Sequence, residues 1–188
     1  MKLFRGLATE VDPHWADHLL DSGVIPSFRG GYLGISALRN SDVLTAVSIV
    51  SGDVSRFPLV ITDSSTDEVI DLANIEYLMN TKVNKRLSAY QWKFSMMVNA
   101  ILTGNAYSRI VRDPITNEPA MFEFYAPSQT QVDTSDPDNI IYRFTPYNSS
   151  MQKICGFEDV IHWKFFSYDT IMGRSPLLSL GDEIGLQE

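Results

Sequence analysis

Polar and apolar positions divide the chain into three stretches with different periods. Residues 1–40 hold no sustained period. Gly6, Gly23, Pro26, Gly30, Gly31 and Gly34 punctuate them, and only 13–20 suits a short helix, with Asp12 as cap and Pro13 in its first turn. This stretch is expected to be an N-terminal arm. From Ser41 the period turns helical: Val43, Ala46, Val47, Val50 and Val54 share one stripe, and Ser41 or Asp42 can cap the start. Pro58 stops that helix, and residues 57–61 read as a short strand. Residues 63–67 make a polar turn, and 74–80 a short helix with Ile75, Leu78 and Met79 inward.

The strongest helix spans 89–103. Ser88 and Gln91 form a capping-box pattern, each side chain able to satisfy a free backbone N–H. Tyr90, Phe94, Met97, Val98, Ile101 and Leu102 make a wide apolar stripe, with Gln91, Ser95 and Asn99 on the other face. Gly104 stands where a left-handed residue closes a helix.

Beyond Gly104 the period shortens to that of strands, at 106–112, 121–125, 129–133, 140–145 and 160–166. Asp113-Pro114-Ile115-Thr116-Asn117 and Asp136-Pro137-Asp138-Asn139 are turns by their chemistry. Ser175-Pro176 opens a last helix that runs to Glu188 without a stop signal, so the chain reads as cut from something longer. Helices followed by antiparallel strands give an α+β class, with N-terminal helices packed on a mostly antiparallel sheet.

Composition narrows the classes. A chain of 188 residues with 44% hydrophobic and 20% charged residues is globular and large enough to bury a core. No apolar run approaches the roughly 20 residues of a membrane span, and no signal-peptide pattern opens the chain. The lone Cys155 excludes an internal disulfide and a multi-cysteine zinc site. The net charge of −8 is uneven: residues 1–112 balance, and residues 113–188 carry four basic against twelve acidic groups. A protein that grips DNA by its phosphates has the opposite sign, so DNA near this one is expected to pass without being held.

Candidate chemistry is sparse. His14 and His18 lie one helical turn apart around Asp17, a metal-pair spacing whose third ligand would be distant His162. A solvated polar face is the plainer reading. Asp133, Asp136 and Asp138 cluster, yet Pro137 and the lack of a central glycine argue for a turn over a calcium loop. Gly30, Gly31 and Gly34 lack the lysine–serine pair of a phosphate cradle. Cys155 reads as a buried or edge-strand thiol. His162 shares a strand face with Lys164, opposite Ile161 and Trp163, and reads as a hydrogen-bonded structural histidine.

Four pieces gain meaning together. Residues 38–61 lead small and apolar residues into Arg56-Phe57-Pro58-Leu59. Tyr77-Leu78-Met79-Asn80-Thr81-Lys82-Val83-Asn84 follows, then Leu102-Thr103-Gly104-Asn105-Ala106-Tyr107. Last come Glu158-Asp159-Val160-Ile161-His162-Trp163-Lys164 and Gly173-Arg174-Ser175-Pro176-Leu177. In this order and spacing they resemble the portal proteins, or head-to-tail connectors, of long-tailed, lambda-like phages and prophages, over roughly 38–180. Val83 replaces the family's proline.

The resemblance implies a wing-like α+β domain over 41–188, truncated at its C-terminus, after the 1–40 arm. It implies a structural subunit of a homo-oligomeric ring, usually of about twelve copies, at one capsid vertex. DNA is packaged and ejected through such a ring without specific binding, and capsid protein, terminase and head-tail connector meet it. The expected place is the virion, with host cytoplasm during assembly. No enzyme activity, cofactor, metal or membrane contact is implied. Pro58, Gly104, Asn105, Tyr107, His162, Gly173, Ser175 and Pro176 become structural motif positions. Two alternatives stand beside this: a metal-dependent hydrolase using His14, His18 and His162, and another virion adaptor protein.

Overall fold

The computed structural model describes residues 34–178 apart from 71, 137, 148 and 150. The 13–20 helix, His14, His18, Gly30, Gly31 and the end of the last helix lie outside the described residues. A 3-10 turn, Gly34–Arg39, leads into helix α1, Ser41–Arg56. Asn40, one residue ahead of the expected caps, takes the N-cap: its side-chain oxygen accepts from the N–H groups of Asp42 and Val43 at 2.9 and 3.2 Å. Helices α2, Ala73–Asn80, and α3, Ala89–Thr103, follow.

The capping box holds. Gln91 N–H donates to Ser88 Oγ at 3.2 Å, and Ser88 N–H donates to Gln91 Oε1 at 3.1 Å. Gly104 closes α3 at φ 87°. The stripe read from the sequence is only half of what α3 buries. Ile101 and Leu102, with Met97 and Val98 beside them, pack against Val43 and Val47 of α1. Trp92, Met96 and Ala100 form a second buried face, while Tyr90 is exposed. A helix between another helix and a sheet is apolar on two sides, and a single stripe misses one of them.

That second face lies on sheet β2-β1-β6, formed by β1, Asn105–Arg112, β2, Pro119–Tyr125, and β6, Val160–Lys164. Both pairings are antiparallel, with Tyr107 opposite Tyr125 on one side and His162 on the other. Trp92 Nε1–H donates to Ser108 Oγ at 3.1 Å, so the largest core side chain keeps its polar atom satisfied. A second antiparallel sheet, β3-β4-β5, joins β3, Thr130–Asp133, β4, Ile141–Phe144, and β5, Lys153–Gly156. β5 was not expected; its four residues are too short to show a period. The sheets meet through Tyr107, Tyr125, Tyr142, Phe144 and Cys155.

Residues 57–61 join no ladder, contrary to the expected strand. The amide of Asn80 takes the place of a partner strand, accepting from Leu59 N–H and donating to Leu59 O, both at 2.8 Å. The chain then makes a small ribbon, with Thr62 bridged to Val69. Its turn, 63–68, repeats at 113–118. In each, an aspartate carboxylate accepts two N–H groups, a threonine hydroxyl accepts a third, and the fifth residue has a positive φ, 56° at Asp67 and 58° at Asn117.

Candidate functional site

Six of the eight motif positions converge where α3 turns into β1. The chain leaves β6 at Lys164, loops through Asp169, and returns as a strap over the α3–β1 junction. Asn105, the first residue of β1, is fully buried and holds the strap by both ends of its amide. Gly173 N–H donates to Asn105 Oδ1 at 2.7 Å, and Asn105 Nδ2 donates to Gly173 O at 2.9 Å. Phe165 N–H donates to Gly104 O at 2.9 Å. Ser175 Oγ donates to Ile101 O at 2.7 Å, one of the carbonyls left open by the end of α3, and accepts from Leu177 N–H at 3.1 Å.

Glycine is required twice at this crossing. A Cβ on Gly173 would lie 2.0 Å from Gly104 O and 3.0 Å from the Cα of Lys164. A Cβ on Gly104 would lie 2.6 Å from Gly173 O, at a positive φ besides. Two backbones touch here, and no side chain fits between them.

His162 closes the node from β6. Its Nε2 is 2.9 Å from Asn105 Oδ1 and its Nδ1 is 3.1 Å from Tyr142 Oη. Because Asn105 Oδ1 already accepts from Gly173 N–H, its orientation is fixed by the backbone, and it can only accept. His162 therefore carries its proton on Nε2 and accepts the Tyr142 hydroxyl at Nδ1. Burial, with Lys164 adding a like charge, pushes the imidazole down to about 3. Tyr107 lies on the imidazole at 4.5 Å between ring centroids, and burial, with Tyr142 beside it, pushes its phenol up.

The arrangement organises structure. Both nitrogens of His162 are engaged by Asn105 and Tyr142, and its ring is neutral. Pro176 opens the 3-10 turn Pro176–Leu178 that ends the strap. Pro58 lies apart from the node, between Phe57, whose carbonyl accepts from Lys93 Nζ at 2.7 Å, and the clamped Leu59. Asp133 is occupied by Ser135 and Arg143, as a turn requires. Cys155 is buried on β5, with Arg109 Nε 3.2 Å from its sulfur. Among the described residues, no three His, Cys, Asp or Glu side chains are grouped to hold a metal ion.

Sequence reasoning missed the polar seam between the sheets. The Glu123 carboxylate on β2 receives Lys153 of β5 at 2.9 Å, Arg109 of β1 at 3.2 Å and the Tyr125 hydroxyl at 3.2 Å. Burial works against that charge, but Lys153 and Arg109 outweigh it and hold the carboxyl below its ordinary range. It also missed the clamping by Asn80 and Asn84, although both stand in the run 77–84. Asn84 Nδ2 donates to Phe122 O at 2.8 Å, and its oxygen accepts from Arg86 and Leu87 N–H.

Residues 41–188 match the family model described as phage portal protein. No curated protein matches the sequence. Among solved structures, the chain is similar to one in the neck of an empty GTA particle computed with C6 symmetry: TM-score 0.61, 13% identity, 93% of this chain and 44% of that one covered. It is similar to a chain in the neck of a native GTA particle computed with C12 symmetry: TM-score 0.58, 15% identity, 91% and 46% covered. A third similarity is to a chain in the virion of a native gene transfer agent (GTA) particle: TM-score 0.59, 15% identity, 90% and 46% covered. The chain thus spans less than half the length of the solved chains it resembles.

Proposed function

The chain belongs to the phage portal protein family, and from that membership we propose that it is the wing-like part of a structural subunit of the portal ring. The ring stands at one capsid vertex. DNA is packaged and ejected through it without being specifically bound, and capsid protein, terminase and head-tail connector dock on it. The domain begins near residue 41, after an arm. The motif positions, from Pro58 to Pro176, are structural. The family match over 41–188 carries this reading.

Three observations support it. The node is a junction of backbones and engaged side chains, with no reacting group, which favours a building block over an enzyme. Leu44, Ile49 and Val50 on α1, Phe57 after it, and Val60 and Val69 on the ribbon expose apolar surface of the kind an assembly covers. The resembled neck structures were computed with C6 and C12 symmetry, which favours a ring of about twelve copies. The location that follows is the virion, after assembly in host cytoplasm. Among the described residues no helix is long and apolar enough to cross a membrane.

Electron microscopy and sedimentation of the full-length protein test the reading. A closed ring of about twelve copies is expected. A strictly monomeric full-length protein overturns it.

A further inference from the structure

The loop between α2 and α3 differs from the rest of the charged surface. Lys82, Lys85 and Arg86 lie there within five positions, and all three are exposed. Elsewhere in the described residues most cations have partners. Arg56, Arg109, Arg112, Arg143 and Lys153 hold carboxylates. Lys93 and Lys164 hold carbonyls, and Arg174 lies 4.6 Å over the Tyr168 ring. The three loop side chains meet no carboxylate, carbonyl or ring among the described residues.

Their loop is nevertheless rigidly set. Val83 is fully buried in the core against α3. Val83 O accepts from Phe122 N–H at 3.0 Å, Asn84 clamps both the loop and β2, and Lys82 bridges Ser88. Three cations are thus presented at fixed places on the β2 edge of the first sheet, and nothing among the described residues neutralises them.

The complementary charge lies elsewhere on the same chain. Residues 113–188 hold the excess acid. Several of its carboxylates are engaged, but those of Asp136, Asp138 and Glu158, like that of Glu118 on the β1–β2 turn, are exposed and hold no cation among the described residues, Arg112 reaching only the main-chain oxygen of Glu158. Glu158 immediately precedes β6, and the sheet order β2-β1-β6 puts β6 on the edge opposite the basic loop. Asp136 and Asp138 stand in the turn between β3 and β4. A basic patch on one edge of the first sheet, with exposed carboxylates just ahead of the opposite edge strand and on the second sheet, suits a head-to-tail contact, in which unlike surfaces of identical copies meet and close a ring.

We propose that Lys82, Lys85 and Arg86 of one copy dock on Asp136, Asp138 and Glu158 of the next copy. The contact rests on the ring reading above and names the surfaces that steer its closure. Charge complementarity selects this partner over duplex DNA, which would meet a chain of net −8.

The test uses the full-length protein and follows assembly by sedimentation across concentration and salt. Lys82→Glu/Lys85→Glu/Arg86→Glu should raise the concentration for half-assembly roughly tenfold or more. Adding Asp136→Lys/Asp138→Lys/Glu158→Lys to it should restore assembly. Circular dichroism checks the fold, and the milder triple Gln variant replaces the first if it does not fold; its assembly should weaken and lose salt dependence. A folded variant that assembles like wild type, at every salt concentration, overturns the contact alone. So does duplex DNA binding that the variant loses while its assembly is unchanged. A wild-type protein that stays monomeric overturns the ring reading instead, and this contact with it.

Discussion

The sheets β2-β1-β6 and β3-β4-β5 are both three antiparallel strands, yet their support differs. The first lies under α3, and its β2 edge is held by the side-chain amides of Asn74 and Asn84 and by the backbone of Val83. The second consists of four-residue strands with no helix on it among the described residues, and it is fixed to the first through one aromatic seam, the Glu123 carboxylate and the hydrogen bonds Tyr142–His162 and Arg109–Cys155. A small sheet without a helix over it depends on the surface it leans against. The first sheet is therefore expected to be the stable unit, and the second to open before it.

Glycines probe this difference most strongly. Gly173→Ala places a methyl 2.0 Å from the Gly104 carbonyl oxygen, where both sides are backbone and neither can rotate away. The expected loss is about 4 kcal/mol or more, enough to remove most of a small domain's stability. Gly156→Ala on β5 is the counterpart. Its φ is −76° and nothing lies within 4 Å of the new methyl, so a change within about 0.5 kcal/mol is expected. Urea unfolding of both variants measures the contrast. Equal losses would show that the node at Gly173 is not the tighter region.

Phe144→Ala comes next. Phe144 is fully buried, 4.6 Å between centroids from Tyr125 and 6.3 Å from Tyr142. Emptying its place should cost about 3–5 kcal/mol. Hydrogen exchange then separates the regions: amides of Thr130–Asp133 and Lys153–Gly156 should lose protection while those of Asn105–Arg112 keep most of theirs. Uniform loss would mean the two sheets open as one.

These contrasts also mark what the sequence could disclose. The bounds of α3, its capping box and the left-handed Gly104 were legible because each depends on neighbours within one turn. So was the turn after β1, built from Asp113 and the residues just beyond it. The sheet-facing side of α3 was not, because Trp92 and Ala100 interleave with lysine and asparagine in a helix buried on two faces. β5 was not, because Lys-Ile-Cys-Gly has no alternation to display. The node was half legible. Its residues stood in the motifs, but the amide pair joining Asn105 to Gly173 bridges 68 positions, and no local rule foretells it.

His162 sharpens the comparison through pH, because it belongs to the first sheet and touches the second. Its folded value of about 3 lies below the ordinary 6.5, so between the two the unfolded chain binds a proton that the folded chain does not. Its share of stability is intact above about 6.5 and falls by up to about 1.4 kcal/mol per pH unit as pH drops toward the folded value. His162→Gln, which can still donate to Asn105, should flatten that decline between about pH 5.5 and 4, roughly one unit inside each limit. An unchanged slope would mean that His162 is already charged in the folded protein.

The smallest effect expected belongs to the polar half of the seam, at Glu123. Its partners are Lys153, whose side chain is 39% exposed, and Arg109, 26% exposed, so water screens much of the attraction. Glu123→Gln keeps the shape and removes the charge, and at neutral pH the loss should be about 1 kcal/mol or less. The sign with pH is fixed by the lowered carboxyl value: the contribution is whole above the ordinary carboxylate range and vanishes as pH falls through the folded value. Wild type and variant should therefore differ at pH 7 and converge in strong acid, and added salt should narrow the gap at pH 7. A gap that is the same at both pH values would assign the role of Glu123 to its packing. The second sheet's dependence on the first would then rest on buried rings and the Tyr142–His162 and Arg109–Cys155 hydrogen bonds, with no part for the carboxylate's charge.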